Sequence, residues 1–285
     1  MTAEGLSLIA FTPGLFWLWF FLRLDRHRPE PNRLIALTFL LGCLSTIPAG
    51  IVNSSFGIDA LLVSDPDLIT VAAGMLFVVG PIEELSKFTV VRLFPYRSLY
   101  FDEPMDGLVY GATASLGFAS LENLFYVLEF GPGVMLARAP ISTLAHLVFG
   151  SIWGYALGQH HSSGGNRQWL VVGSLMLAAA VHALFNVSVF TFPLVSLALV
   201  AAGGAWAFYS FHRGQQISPF RFKRNYPQIE CRSCGTLVRV ANQFCTSCGA
   251  PVSATSGALI CGRCHSRNRP DAEYCTSCGD RLLRR

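Results

Sequence analysis

The chain has 285 residues, 52% of them hydrophobic and only 13% charged, with a formal net charge of +4. Apolar residues fall in long runs instead of alternating patterns, which excludes an ordinary soluble enzyme and makes the bilayer the expected solvent. The charge is unevenly divided: residues 1–212 carry 9 Lys and Arg against 13 Asp and Glu, whereas residues 213–285 carry 12 against 4.

A helix needs about 20 predominantly apolar residues to cross a bilayer. Stretches of that kind lie at about 5–24, 34–52, 68–94, 104–130, 133–158, 168–190 and 192–211. The first lacks a basic leading segment and a small-residue cleavage site, so it is expected to be a retained span. Arg23, Arg26, Arg28 and Arg33 follow it, while Asn53 to Asp67 contains no Lys or Arg. By the positive-inside rule the first of these loops is cytoplasmic, which puts the N-terminus outside and the C-terminus inside the plasma membrane. Arg92, Arg97 and Arg167 then fall on the cytoplasmic side, and Arg138 is the exception outside, expected to be an interfacial anchor.

The segment His212 to Asn225 is polar and basic, suited to lying near anionic headgroups. The expected organisation is a membrane domain over 1–212, a basic linker over 213–230 and a tandem metal module over 231–279. Eight of the nine cysteines sit in that module as C-x-x-C pairs. Cys231, Cys234, Cys245 and Cys248 recur as Cys261, Cys264, Cys275 and Cys278, with Thr-Ser-Cys-Gly at both 246–249 and 276–279. This is an internal duplication. Two C-x-x-C turns some ten residues apart complete a closed tetrahedral thiolate site, so each half (231–248 and 261–278) is expected to hold one structural Zn²⁺. Gly235, Gly249 and Gly279 supply the permissive backbone after a metal-binding turn. Each zinc with four thiolates adds about −2, so the basic surplus of the tail becomes modest. The module resembles the double zinc ribbon family, whose members commonly bind protein partners or nucleic acid. Thiolate zinc sites favour the reducing cytosol, the side the loop charges assign to the tail. His265, beside a completed site, is expected at the surface. Cys43, alone in an apolar run, is expected to be a packing residue, and His160 and His161 to be solvated loop residues.

The fold class is therefore an all-α polytopic membrane protein of about seven transmembrane helices with a small cytosolic tandem zinc-ribbon domain. Within its apolar stretches lie Glu83, Glu84, Lys87, Glu122, His146 and His182. A charged side chain at a helix centre costs roughly 2.5–3.5 kcal/mol on insertion scales, so these groups must face one another or water. Any one of them alone could be a satisfied packing contact; the set at similar depth points to a site. Lys87 follows Glu83 by four residues and Glu84 by three, so it can neutralise one carboxylate and leave the other free. Phe118 and Glu122, Glu122 and Tyr126, and His182 and Asn186 are spaced by four residues. Pro81 is placed to kink the third span.

These residues resemble the PrsW family of intramembrane proteases, distantly related to the CAAX prenyl protease superfamily. Residues 70–190 carry the resemblance, through Glu83-Glu84-Leu85-Ser86-Lys87, Asp102-Glu103-Pro104-Met105-Asp106-Gly107, Phe118-Ala119-Ser120-Leu121-Glu122-Asn123, His146 and His182-Ala183-Leu184-Phe185-Asn186. The resemblance implies that Glu83 and Glu84 are catalytic, one activating water, with Glu122, His146 and His182 completing the site by binding a catalytic Zn²⁺ or by direct polar contacts. Lys87, Asn123 and Asn186 belong to the same motifs and join the candidate catalytic set. His146 begins H-x-x-x-G where the superfamily often has H-x-x-x-N, and the soluble metalloprotease signature H-E-x-x-H is absent. The implied substrates are single-span membrane proteins such as anti-sigma factors, cut near the extracytoplasmic face. The alternatives are a membrane scaffold recruiting factors through the ribbons, a transporter, which lacks support from any internal repeat across the spans, and a regulator binding nucleic acid through ribbons that carry few aromatics.

Overall fold

The computed structural model describes residues 2–24, 29–64, 66–98, 100–218, 228–239, 244–251, 259–264, 266–268, 274–275 and 277–282. Arg26, Arg28, His265, Thr276 and residues 219–227 of the expected linker lie outside the described residues.

Ten α-helices are described: α1 (Ala3–Leu24), α2 (Asn32–Ser55), α3 (Ile58–Val63), α4 (Leu68–Gly74), α5 (Gly80–Leu93), α6 (Pro104–Phe130), α7 (Met135–Ala137), α8 (Thr143–Ser162), α9 (Gln168–Thr191) and α10 (Pro193–Ile217). Among the described residues six helical segments are long and apolar enough to cross a membrane: Ala3–Leu24, Asn32–Ser55, Leu68–Arg97, Pro132–Ser162, Gln168–Val189 and Pro193–Ile217. The seventh expected span is α6. It carries Asp106, Glu122 and Glu129, and it is buried without interruption from Pro104 to Ser120. A helix buried on all sides is enclosed by other helices, and α1, α2, α5, α8 and α10 all pack on it.

Small residues allow that enclosure. A Cβ at Gly107 would lie 2.2 Å from the Gly154 carbonyl oxygen, and one at Gly158 only 2.0 Å from that of Pro104. The backbones of α6 and α8 therefore meet directly, as helices in lipid do where dispersion and not the hydrophobic effect holds them together.

Two π-helical turns break the regular pattern, Met75–Val79 between α4 and α5 and Arg138–Ser142 between α7 and α8. Proline cannot donate to the carbonyl one turn back and its ring crowds that carbonyl; Pro81 follows the first π turn and Pro140 lies within the second. Asp102-Glu103-Pro104-Met105-Asp106-Gly107 turns out to be the start of α6: Asp106 accepts from the Asp102 and Glu103 amides at 2.6 and 2.8 Å, Glu103 completes a reciprocal capping box, and Pro104 occupies the first turn.

His160 and His161 correct the sequence expectation. They form the last turn of α8, and the His161 ring packs edge-on against Tyr96 and Phe101 at 5.2 and 5.1 Å. Cys43 is buried in the main apolar core, on α2 where it packs against Gly117 of α6. Helix α10 continues past residue 212 to Ile217, so the basic segment begins as helix.

Each ribbon is a small antiparallel pair. β1 (Gln228–Glu230) pairs with β2 (Leu237–Arg239), and β3 (Leu259–Ile260) with β4 (Arg267–Asn268). The first ribbon rests on the membrane body. Tyr100 Oη donates to the Gly249 carbonyl at 2.9 Å, its ring meets Phe244 at 4.8 Å, and the Asn32 amide donates to the Thr246 carbonyl at 2.9 Å.

Candidate active site and zinc ribbons

The ribbon cysteines converge as their spacing requires. Cys231 Sγ lies 3.7 Å from Cys248 Sγ, Cys234 Sγ 3.5 Å from Cys245 Sγ, and in the second half Cys261–Cys278 and Cys264–Cys275 are 3.6 and 3.4 Å apart. A tetrahedron with Zn–S bonds of about 2.3 Å has edges near 3.8 Å, so both sets fit zinc. Gly235, Gly249 and Gly279 take φ of 73–74°, the left-handed turn that a side chain resists.

Inside the membrane body, α5, α6, α8 and α9 bring the buried charges together. Glu84 is saturated: Oε1 accepts from Lys87 Nζ at 2.7 Å and lies 2.8 Å from His182 Nδ1, while Oε2 accepts from Trp153 Nε1 at 3.0 Å. Glu84 and Lys87 side chains are both 0% exposed, so neither charge has water as an alternative partner. Glu83, one residue earlier and about 100° around the helix, is left free. Its Oε2 is buried without a hydrogen bond among the described residues, 3.6 Å from His182 Nε2 and 4.0 Å from Lys87 Nζ.

His182 Nδ1 donates to Glu84, so in the neutral imidazole Nε2 presents a lone pair. Phe149 stacks on this ring at 4.8 Å, and Phe118 on that of His146 at 5.8 Å. His146 Nδ1 lies 3.0 Å from Lys87 Nζ, and because an ammonium only donates, this nitrogen accepts. Its Nε2 then carries the proton toward Glu122 Oε2, also at 3.0 Å.

Glu83, His146 and His182 each offer a ligand atom, all within 4.8 Å of one another. Three protein ligands with an open fourth position are the pattern of a catalytic zinc. The trio differs in one member from the expected Glu122-His146-His182 set. Glu122 Oε2 instead accepts from Arg138 Nη2 at 2.6 Å as well as facing His146, whereas the Glu83 oxygen has no competing cation at hydrogen-bond distance. Asn123 lies beside the site, its Oδ1 accepting from Arg138 Nε at 2.8 Å and its Nδ2 donating to Thr143 Oγ1 at 3.0 Å. Asn186 is not drawn in; its amide meets Met75 Sδ at 4.0 Å.

Sequence inspection misses Arg138 and Trp153. An Arg near the end of an apolar stretch reads as a snorkelling anchor, and a Trp in one reads as packing. The glycine of H-x-x-x-G has a steric cause: a Cβ on Gly150 would lie 2.0 Å from Ser115 Oγ and 2.6 Å from the Gly111 carbonyl.

A bundle of membrane helices around a buried glutamate-histidine centre defines a membrane-embedded hydrolytic site. A model described as PrsW family intramembrane metalloprotease matches residues 30–211, and one described as double zinc ribbon matches residues 231–279. The chain belongs to the PrsW family of intramembrane metalloproteases, with a double zinc ribbon at its C-terminal side. Protease PrsW of Geobacillus kaustophilus is 31% identical over 174 residues, covering 61% of this chain and 75% of that relative. Protease PrsW of Halalkalibacterium halodurans is 31% identical over 183 residues (64% and 82%), and that of Bacillus subtilis 30% over 180 residues (61% and 78%). No solved structure matches the chain significantly.

Proposed function

We propose that this intramembrane protease cuts single-span membrane proteins, of the anti-sigma-factor kind, near the extracytoplasmic face, with Glu83, His146 and His182 holding a catalytic Zn²⁺. The observation that carries the metal is the Glu83 carboxylate oxygen, buried and unbonded, facing His182 Nε2 at 3.6 Å. An uncompensated buried carboxylate is costly, and a cation between the two groups removes that cost. A bound Zn²⁺ would supply a Lewis acid for the scissile carbonyl and an acidified water. The chain's own residues do the rest. Glu84 holds His182 in one tautomer, Trp153 and Lys87 fix Glu84, and the aromatic rings of Phe118 and Phe149 hold the imidazole planes.

A second reading rests on a different contact. Both nitrogens of His146 are already engaged, by Lys87 and by Glu122, so ligation requires exchange of one of them. Without a metal, Glu83 would take a proton from water, the resulting hydroxide would add to the carbonyl carbon, and the same carboxyl would return the proton to the departing amine. Zinc content decides between the two. The metal reading expects about three zinc ions per full-length chain, falling to about two in Glu83→Gln and His182→Ala; a wild-type chain that cleaves with two supports the glutamate mechanism.

Substrates are found by comparing membrane-protein fragments in cells expressing the wild type with those expressing Glu83→Gln or Glu84→Gln at matched levels. Fragments of single-span proteins that appear only with the wild type establish the substrate class, and identical patterns reject it. The loop charges place the N-terminus outside, and the ribbons on the cytosolic side of the plasma membrane recruit a protein or nucleic-acid partner to the protease.

A further inference from the structure

Arg138 sits in the π-helical turn that leads into α8, its side chain only 11% exposed. An arginine at the edge of a span can snorkel to the interface; this one turns inward. Its Nη2 donates to Glu122 at 2.6 Å, its Nε donates to Asn123 at 2.8 Å, and its guanidinium carbon lies 3.8 Å from the centre of the Tyr126 ring. Three residues on two successive turns of α6 thus hold one guanidinium by a fork and a face, which a lysine cannot reproduce.

The Glu122 oxygen that Arg138 holds is the one that faces His146 Nε2. The arrangement repeats a few ångströms away, where Lys87 holds the Glu84 oxygen that faces His182 Nδ1. Each candidate ligand histidine is therefore oriented by a carboxylate, and each carboxylate is neutralised by a cation. Carboxylates in that position fix the tautomer and raise the donor strength of the other ring nitrogen. His182 is left with Nε2 as its donor, and His146 with Nδ1 once the Lys87 ammonium, 3.0 Å away, gives up its contact there.

We propose that Arg138 is a positioning residue of the protease, the counterpart of Lys87: by neutralising Glu122 it keeps that carboxylate out of the metal's coordination and locks the His146 ring with Nδ1 toward the centre. This rests on the reading of Glu83, His146 and His182 as the metal site. It makes Glu122 a supporting group and leaves Glu83 as the carboxylate ligand.

The test uses the purified full-length chain in detergent, with a membrane peptide that the wild type cleaves, and measures kcat, KM, zinc per chain and thermal unfolding. Arg138→Gln is expected to lower kcat by roughly 10- to 100-fold with little change in KM, and to weaken binding of the third zinc by a similar factor. Arg138→Lys, which keeps the charge and loses the fork, is expected to fall between. Because Arg138 acts through Glu122, the double variant Arg138→Gln/Glu122→Gln is expected to be no worse than the poorer single variant within about threefold. Wild-type kcat and zinc content in Arg138→Gln, or multiplicative losses in the double variant, would overturn the proposal. If Arg138→Gln does not fold, Asn123→Ala tests it: freeing the Nε end of the fork should lower kcat several-fold at unchanged KM, beside a melting temperature lowered by the lost buried hydrogen bonds to Arg138 and Thr143, and an unchanged kcat rejects it. Glu83→Gln run alongside separates the two levels, since retained activity and retained third zinc there reject the metal site itself and not only the role of Arg138.

Discussion

The membrane body and the ribbon tail both gather buried or crowded polar groups, and they stabilise them in opposite ways. In the body Glu84, Lys87, Trp153 and His182 satisfy one another, so the cluster is a folded object in its own right. In each ribbon four thiols converge around a point with strands of only two or three residues to hold them. A core that small does not fold alone, and the ion supplies its folding energy. On the proposed reading one region is organised so that a metal can act on something else; the other uses metal to exist.

Removing zinc from the tail should therefore have the largest effect. Structural zinc contributes on the order of 10–16 kcal/mol to such folds. Treatment of the full chain with a strong chelator, or Cys245→Ser with Cys275→Ser, is expected to make residues after about 228 sensitive to protease while the helical circular dichroism of the body is kept. Loss of the helical signal together with the tail would break the contrast between the two regions.

The next effect lies inside the body and separates adjacent glutamates. Glu84→Ala leaves the Lys87 ammonium, 0% exposed, without its closest partner. Breaking a buried pair in this way costs roughly 3–5 kcal/mol, so the variant should unfold at a markedly lower temperature. Glu83→Gln removes no hydrogen bond from Oε2 and should be close to the wild type in stability while losing cleavage. Equal destabilisation by the two substitutions would contradict the division of labour between them.

That division shows where sequence stops being informative. The spacing of Lys87 after both glutamates predicts one paired and one free carboxylate, and the helix geometry delivers one of each. Which is which depends on Trp153 from α8 and His182 from α9 arriving on the Glu84 side, and no local pattern encodes that arrival. Similarly, the seven apolar stretches correspond to helical segments, but the central place of α6 follows from glycines on α6 and α8 whose meaning appears only when the two backbones touch. The ribbons were legible almost entirely, because ligand spacing and metal geometry leave few alternatives. Arg138 is the opposite case: it lies in a π turn and reaches Glu122, and hydropathy carries no signal of that turn.

Trp153 gives a smaller and sharper test. Trp153→Phe keeps most of the ring that meets Phe88 edge-on at 5.5 Å but removes the indole donor to Glu84. A hydrogen bond to a charged group contributes about 1.5–3 kcal/mol, so the melting temperature should fall less than in Glu84→Ala. The freed oxygen should also loosen the hold on His182, visible as a lower kcat at unchanged KM.

The smallest effect tests whether the two regions are mechanically joined. The first ribbon touches the body through the Tyr100 hydroxyl on the Gly249 carbonyl, the Tyr100 ring on Phe244, and the Asn32 amide on the Thr246 carbonyl. Two of these contacts use carbonyls of the second C-x-x-C turn, whose shape the bound ion fixes. Tyr100→Phe removes one neutral hydrogen bond, about 0.5–1.5 kcal/mol, and keeps the ring contact; Tyr100→Ala removes both. Hydrogen exchange at the amides of residues 245–250 should rise slightly in the first variant and clearly in the second, with the zinc content of the tail unchanged. Tyr100 lies just before the cap of α6, the helix that carries Glu122, so a docked ribbon bears on the same element as the active site. Unaltered exchange in Tyr100→Ala would mean that the ribbons are tethered to the protease by the chain alone.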